Sequence, residues 1–254
     1  MRGERSRFAN AQVSIITTMT SSPPSWEAVI EAAARLQELV PDAVLVGGSA
    51  AAHHAGHRVS FDDDHIVADL RQRFDHVLQA LEETDGWITA RVRRPVLILG
   101  SLDGVETGVR NLMRRRPLEV EEVAVGARKV RVPTLEEMAR IKAWLCLVRN
   151  ATRDYLDFAA LADRLGPEAV VDVVLSMDDY YADQLGVGGR RIATQVAKQL
   201  AEPLPGDLDR VDLRFYRRLD PRWQDWCAVA DACKRTAVRV LGRVAQGGDA
   251  GGTR

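Results

Sequence analysis

Two aspartates of this chain have the type and spacing of metal ligands. Asp62 and Asp64 stand two residues apart, just before the apolar pair Ile66 and Val67. Side chains two apart in a strand share a face, so these carboxylates project together while Asp63 points away. Mg²⁺ prefers oxygen ligands and commonly takes one or two carboxylates together with substrate phosphates. An acidic turn in solvent is the alternative, but the apolar residues favour a strand start and a magnesium site.

A glycine-serine turn precedes these aspartates and has the features of a phosphate site. Gly47, Gly48 and Ser49 follow an apolar stretch of strand length at residues 43–46. We expect Ser49 to cap a short helix over residues 50–55. Its free N–H groups and the positive end of its dipole would hold a phosphate, and the Ser49 hydroxyl would add a donor. Such turns are common, so this interpretation depends on the aspartates.

Basic side chains follow on a later amphipathic helix. Apolar residues recur at helical spacing after a capped start at Thr134, namely Met138, Ile141, Leu145 and Val148. Lys142 and Arg149 lie two turns apart on one face, where they would present two positive charges to a triphosphate. A lysine beside an apolar stripe is also a common surface residue whose stem alone is buried.

The next helix carries two carboxylates on one face. It is expected to start near Asn150 or Thr152, and it places Asp154 and Asp157 three residues apart. In the simpler interpretation Asp154 complements the helix dipole and Arg153 pairs with Asp157 four residues on. In the other, Asp157 belongs to a catalytic site.

Taken together, these motifs resemble a known family. The order Gly48, Ser49, then Arg58-x-Ser60-x-Asp62-x-Asp64, then Lys142, then Arg153-Asp154-x-x-Asp157, is similar to the polymerase-beta-like nucleotidyltransferases. The likeness is to the form carried by AbiEii-type and MenT-like toxins of bacterial toxin-antitoxin systems. It extends over residues 44–165 and rests on four separate elements in the right order.

The resemblance implies a site and a reaction. It implies Mg²⁺ on Asp62 and Asp64, with Lys142 and Asp157 as further catalytic residues, Asp157 accepting a proton from the attacking hydroxyl or holding the site in place. The nucleotide would contact Gly48, Ser49, Arg58, Lys142 and Arg149. The implied reaction moves a nucleoside monophosphate from an NTP to the 3′ end of tRNA, which blocks aminoacylation, and a cognate antitoxin protein neutralises the enzyme. The wider family has a third carboxylate on a later strand, but Asp103 and Glu106 flank a glycine in a predicted hairpin, and neither is included here.

Composition limits the alternatives. The chain has 254 residues, 46% of them hydrophobic, and a formal net charge of −1, which excludes a generally basic nucleic-acid coat. RNA contacts would therefore come from local clusters, and residues 91–94 and 114–116 are the candidates. Three cysteines without metal spacing favour a reduced, cytoplasmic protein. No segment has the length and apolarity of a membrane span.

The order of elements predicts an α/β fold with two lobes. Residues 25–132 read as a nucleotidyltransferase lobe built on a small mixed sheet, with helices over 25–39 and 68–83 and antiparallel strands within 87–131. Residues 133–245 read as a helical C-terminal lobe, with the site in the cleft between the lobes. Residues 1–24 are expected to form a flexible leader and residues 246–254 a disordered tail.

Other chemistries stay open. A small-molecule nucleotidyltransferase of the antibiotic-modifying type would use the same motifs without basic clusters, and an idle binding protein would keep only the fold. His53 and His57 lie four apart and would suit Zn²⁺, although the glutamate of a zinc protease is missing. Ser60 shares a strand face with Asp62, so phosphate there would repel a triphosphate.

Overall fold

The computed structural model describes residues 25–184 and 189–249. The predicted leader, residues 1–24, lies outside the described residues. The last helix continues to Asp249, which corrects the first part of the predicted disordered tail, and residues 250–254 lie outside the description.

The helices and strands alternate first and then become wholly helical. The helices are α1 (Trp26–Leu39), α2 (Gly47–Ala55), α3 (Leu70–Glu82), α4 (Leu135–Val148), α5 (Thr152–Leu165), α6 (Pro167–Leu175), α7 (Met177–Tyr180), α8 (Ile192–Ala201) and α9 (Trp226–Asp249). The strands are β1 (Val44–Leu45), β2 (Asp63–Val67), β3 (Trp87–Arg93), β4 (Leu97–Leu102), β5 (Val105–Asn111), β6 (Val120–Val125) and β7 (Arg128–Pro133).

The main sheet is mixed, with strand order β1-β2-β5-β4-β3. Strand β2 pairs antiparallel with β1 but parallel with β5, and β5, β4 and β3 form an antiparallel meander. Strands β6 and β7 form a separate hairpin that leads into α4. The predicted α/β class, a small mixed sheet followed by a helical lobe, is confirmed.

Apolar faces explain how these elements pack. Helices α1 and α3 cover the sheet through side chains such as Leu36, Phe74 and Leu81. Helices α4 to α6, α8 and α9 form a second core around Phe158, and it takes in the buried Trp223. A third cluster joins Val46 and Ala50 of the first lobe to Ile141 of the second, so apolar packing crosses the predicted boundary at residue 132. Within the described residues, no helix is both long and apolar enough to cross a bilayer.

The glycine-serine turn differs in one respect from the prediction. Helix α2 begins at Gly47 rather than after Ser49, and its N-cap Val46 has no side-chain hydrogen bond. Gly47 has a φ of 74°, which glycine adopts at little cost because it lacks a Cβ. Ser49 therefore sits inside the first turn. The helix ends at Ala55, as predicted, and Gly56 closes it with a left-handed φ of 62°.

One arginine of the two basic clusters proposed for RNA is internal, while Arg115 and Arg116 beside it are exposed. The guanidinium of Arg114 is buried, donating to the Glu137 carboxylate at 2.5 Å and to the carbonyls of Arg116 and Pro117. Arg140 also binds Glu137, so two arginines share one buried carboxylate. Arg114 joins residues 114–117 to α4, and it is not available to RNA.

Arg114→Ala is expected to destabilise the protein by about 3–5 kcal/mol, because Glu137 would keep its burial and lose one of its two cations. Urea unfolding at neutral pH measures the change. The matched control is Arg115→Ala, an exposed neighbour, for which we expect a change within about 0.5 kcal/mol. Equal, small effects of the two substitutions would contradict a structural role for Arg114.

Candidate functional site

Strand β2 presents its acidic residues on alternate faces. Asp62 is exposed just before the strand and Asp64 is partly buried, while Asp63 is fully buried and accepts a hydrogen bond from Thr107 at 3.2 Å. Burial raises the pKa of Asp63 well above its usual range. Asp62 and Asp64 therefore share the open face, and Asp63 points into the core.

Glu106 is a third carboxylate at this face that sequence reasoning left out. Thr107 is the register partner of Asp63 and faces the core with it, so the preceding Glu106 lies on the side of Asp62 and Asp64. Burial and then the charges of Asp62 and Asp64 raise the pKa of Glu106. Asp103, the other candidate, pairs with Arg35 instead. Only the parallel pairing of β2 with β5, which no local motif encodes, brings Glu106 here.

Mutual repulsion among these carboxylates fits a cation site. Asp62 is exposed on one side only, and partial desolvation by the surrounding protein, followed by the charge of Asp64, raises its pKa, although Arg153, Arg58 and Lys142 act in the opposite direction. Across the described residues, no three His, Cys, Asp or Glu side chains are already arranged to hold a metal ion. The donors are nevertheless all carboxylate oxygens, which suit a hard divalent cation such as Mg²⁺.

The glycine turn lies directly against these groups. A Cβ at Gly48 would come within 2.5 Å of the Arg58 guanidinium and of the Ser60 hydroxyl, and one at Gly108 within 2.6 Å of Asp64. The predicted contacts of Gly48 and Arg58 with a single nucleotide are therefore compatible with their positions. Ser60 is 4% exposed, so its hydroxyl is not accessible for the modification considered above.

Ser49 has a partner other than the one predicted. Its side chain is fully buried, and its hydroxyl donates to the backbone carbonyl of Asp62 at 2.6 Å. This bond ties α2 to the residue that carries the first carboxylate. Ser49 thus positions Asp62 in this structure.

Asp157 is the centre of a buried polar cluster. Its carboxylate accepts from Arg58 Nε at 2.8 Å and from His57 Nε2 at 2.8 Å, and it lies 2.8 Å from Lys142 Nζ. Burial alone would raise the pKa of Asp157, but Arg58, Lys142 and the hydrogen bond from His57 outweigh it and hold the pKa well below its usual range. Asp157 is therefore a charged acceptor at neutral pH.

Asp154 extends the cluster along α5. Lys142 Nζ lies 3.6 Å from Asp154, which also accepts from Arg149 Nε at 2.6 Å. Lys142 and Arg149 thus share a face, as predicted. The cluster contains three cations, Arg58, Lys142 and Arg149, and the two carboxylates of Asp154 and Asp157. It therefore carries one net positive charge beside the glycine turn.

Arg153 does not pair with Asp157, contrary to the simpler interpretation. Its partly buried side chain has no ion-pair partner among the described residues, and its charge acts on Asp62 and Glu106. Arg153 is therefore a second candidate functional residue. It belongs to the motif Arg153-Asp154-x-x-Asp157, but the motif alone does not show that its side chain lies beside the acidic face.

The start of α5 is capped from a distant segment. Its N-cap is Ala151, which offers no side-chain bond, and neither Asn150 nor Thr152 takes the role predicted for it. Asp207 instead accepts from both the backbone amide and the hydroxyl of Thr152, at 2.7 Å each. The loop after α8 therefore helps to place Asp154 and Asp157.

The zinc alternative lacks its geometry. Helix α2 ends at Ala55, so His57 lies beyond it and does not continue the helical spacing from His53. His53 is exposed, whereas His57 is buried against Asp157. The two rings do not form a metal-binding pair.

Comparison with known proteins gives partial likenesses. No family model matches the chain. It is 32% identical over 234 residues to the heme uptake protein MmpL11 of Mycobacterium tuberculosis, a match covering 86% of this chain and 23% of that protein. It is 34% identical over 130 residues to the mycolic acid-containing lipids exporter MmpL11 of Mycolicibacterium smegmatis, covering 50% and 13% respectively. The chain thus spans less than a quarter of the length of the curated relatives that it matches.

Solved structures give likenesses of low similarity. JHP933 from Helicobacter pylori is 17% identical, with a TM-score of 0.49 over 88% of this chain and 94% of that one. The antibiotic-resistance factor ANT(2″)-Ia is 14% identical, with a TM-score of 0.44 over 61% and 92%. The nucleotidyltransferase-like protein of Paracoccidioides brasiliensis is 17% identical, with a TM-score of 0.44 over 64% and 92%. All three TM-scores lie below 0.5.

Asp62→Asn is expected to raise the melting temperature at pH 8 by about 1–2 °C in the absence of divalent cations. The rise is small because solvent partly screens the charge of Asp62. The folded-state pKa of Asp62 is raised above that of the unfolded chain, so its ionised form disfavours folding. The gain is full above the raised pKa and disappears as the pH falls through it. Thermal unfolding between pH 8 and pH 4 measures this.

Asp212→Asn is the control for that experiment. A hydrogen bond from Arg214 lowers the pKa of this partly exposed aspartate, so its loss gives no stabilisation at pH 8. If Asp62→Asn behaved like Asp212→Asn, repulsion at the carboxylate face would not be the dominant effect.

Proposed function

We propose that this protein is a nucleotidyltransferase that moves a nucleoside monophosphate from an NTP to a hydroxyl of an RNA. The observation that carries the proposal is the meeting of two opposite surfaces. Asp62, Asp64 and Glu106 form an acidic face, and the turn at Gly47 and Gly48 abuts it beside a cationic cluster. A nucleoside triphosphate with its bound cation is the class of ligand that needs both surfaces, the acidic face for the cation and the cationic cluster for the phosphates.

The phosphates are assigned to the glycine side. The first amides of a helix lack intrahelical acceptors and lie at the positive end of its dipole, so the start of α2 suits a phosphate oxygen. The Arg58 guanidinium lies against Gly48, and the cluster behind it carries a net positive charge. Arg149 is also partly exposed while bound to Asp154, so it remains able to contact a second phosphate.

The acidic side is assigned to Mg²⁺, which when bound would neutralise phosphate charge as pyrophosphate departs. Asp62 and Asp64 would hold it, and Glu106 supplies a third carboxylate beside them. Their mutual repulsion supports this assignment because a cation relieves it. Arg153 would stand across this face, where it is suited to a phosphate or to the acceptor backbone.

Asp157 is proposed as a positioning residue. A proton acceptor must reach the attacking hydroxyl, but the Asp157 carboxylate is fully buried and engaged by Arg58, His57 and Lys142. Of the two roles that the resemblance implies, these contacts support the one that holds the site in place. Asp157 would fix Arg58 and Lys142 in the orientation that phosphate binding requires.

The RNA acceptor and the biological setting rest on the resemblance of the motifs. Likeness to toxin nucleotidyltransferases at Gly48 to Asp64 and at Lys142 to Asp157 supports the 3′ end of tRNA as acceptor. It also supports a toxin role and a cognate antitoxin protein as partner. A cytoplasmic location is part of the proposal, and the three free cysteines fit a reducing compartment.

The direct test incubates the protein with Mg²⁺, each α-labelled NTP and total tRNA. Wild type is expected to label tRNA, and Asp62→Asn to lose at least about a thousandfold in rate because about 4 kcal/mol or more of charge stabilisation disappears. Glu106→Gln is expected to lose about tenfold or more, and Asp103→Asn serves as its control. A parallel reaction offers an aminoglycoside in place of tRNA. Label on the aminoglycoside and not on tRNA would show that the acceptor is a small molecule, and no label on either acceptor would contradict the proposed nucleotidyl transfer.

Gly48→Ala tests the phosphate assignment separately. The added methyl would displace Arg58 and Ser60, so we expect the KM for NTP to rise about tenfold or more while the chain stays folded. Gly242→Ala in α9 is the matched control, because a Cβ there meets nothing within 4 Å. An unchanged KM in Gly48→Ala would place the phosphates elsewhere.

A further inference from the structure

A segment of the C-terminal lobe lies directly on the strand entry to the site. We name residues 213–220 the strap. Its Arg217 carbonyl accepts from Val59 N at 2.9 Å, and Asp220 N donates to the His57 carbonyl at 2.8 Å. Two backbone bonds therefore fix the strap to residues 57–59, which lead into Asp62.

Side chains strengthen this attachment from both sides. The Arg58 guanidinium lies 5.4 Å from the centre of the Tyr216 ring, and the Arg217 guanidinium 5.0 Å from that of Phe61. Tyr216 is partly buried against the cluster around Asp157, and Phe61 immediately precedes Asp62. The inner side of the strap thus touches the site itself.

The outer side of the strap is aromatic and basic. Phe215 is 84% exposed, more than any other large apolar side chain among the described residues. Arg214 pairs with Asp212, whereas Arg218, and Arg217 with its guanidinium over Phe61, are exposed and have no ion-pair partner in the part of the chain that the structure describes. A single exposed apolar side chain is common on protein surfaces, but Phe215 is followed two and three residues later by two positive charges without an ion-pair partner.

We propose that the strap binds a single-stranded segment of the RNA acceptor, with Phe215 stacking on a base and Arg217 and Arg218 contacting phosphates. The inference rests on the proposed function only in assigning the bound strand as the acceptor of transfer. Stacking on exposed aromatic rings combined with basic side chains is how proteins hold unpaired strands without reading sequence. The complementary charge favours a polyanion over an apolar protein partner.

The other arginine clusters do not meet the same conditions. Arg114 is buried against Glu137, and Arg116 packs over the Tyr180 ring. Arg91 and Arg93 lie on β3, the sheet edge opposite to β1 and β2. Among the described residues, the strap is the basic surface in direct contact with the segment that carries Asp62.

Fluorescence anisotropy with a labelled single-stranded oligoribonucleotide of about 12 nucleotides tests the strap without requiring transfer. Phe215→Ala is expected to weaken binding about five- to a hundredfold. Its control is Val238→Ala on α9, an apolar side chain that is 69% exposed, which should leave binding unchanged. Equal affinities for the two variants, or no binding by wild type, would overturn the proposal.

The salt dependence gives a second, independent measure. Replacing Arg217 and Arg218 together by Gln should reduce the slope of log affinity against log salt by about 1.4, the value for two phosphate contacts on a single strand. Lys234→Gln with Arg235→Gln on α9 is the charge-matched control and should leave the slope unchanged. A slope equal to that of wild type in the strap variant would overturn the phosphate contacts.

The two proposals fail in different ways. If wild type binds the strand through Phe215 but transfers no nucleotide, the surface stands and the transfer is rejected. If wild type labels RNA and Phe215→Ala does so with the same KM for RNA, the transfer stands and the strap is rejected.

Discussion

The burial of Asp157 is the constraint on which the rest of the site depends. A carboxylate without access to water is costly unless hydrogen bonds and opposite charges compensate for it. Here the compensation comes from three places in the chain: Arg58 and His57 after α2, and Lys142 on α4. The two lobes are thereby joined through charge as well as through apolar packing, and the orientation of each cation follows from one acceptor.

The acidic face on the other side of the site lowers the stability of the folded protein, whereas the charges around Asp157 compensate one another. Asp62, Asp64 and Glu106 repel one another, and partial desolvation of Asp62 and Glu106, which both keep contact with solvent, adds to the cost of their charge. Apolar or neutral residues at these positions would favour folding, so the carboxylates fit a role in binding rather than in stability. The fold supports an unfavourable acidic face next to a well-compensated cationic cluster, and the glycine turn lies between the two.

Local patterns predicted the parts of this arrangement that depend on neighbouring residues. The common face of Asp62 and Asp64 follows from the strand period, and that of Lys142 and Arg149 from the helix period. Gly56 ends its helix because it can adopt a positive φ. Contacts between distant segments were not predictable: Glu106 reaches the site through parallel strand pairing, and Arg114 is buried by a partner 23 residues away. The position of Arg153 likewise depends on the packing of α5 against the sheet.

The cap that Asp207 provides to α5 has a consequence for shortened forms of the chain. Helix α5 lacks a capping side chain of its own, and its cap comes from a residue 55 positions later. Closing so long a loop costs conformational entropy that a local cap would not require. The first turn of α5, with Asp154, is therefore fully capped only when the loop after α8 is docked against it. A shortened chain without that loop would leave the start of α5 frayed, and the cationic cluster would lose the fixed position of Asp154.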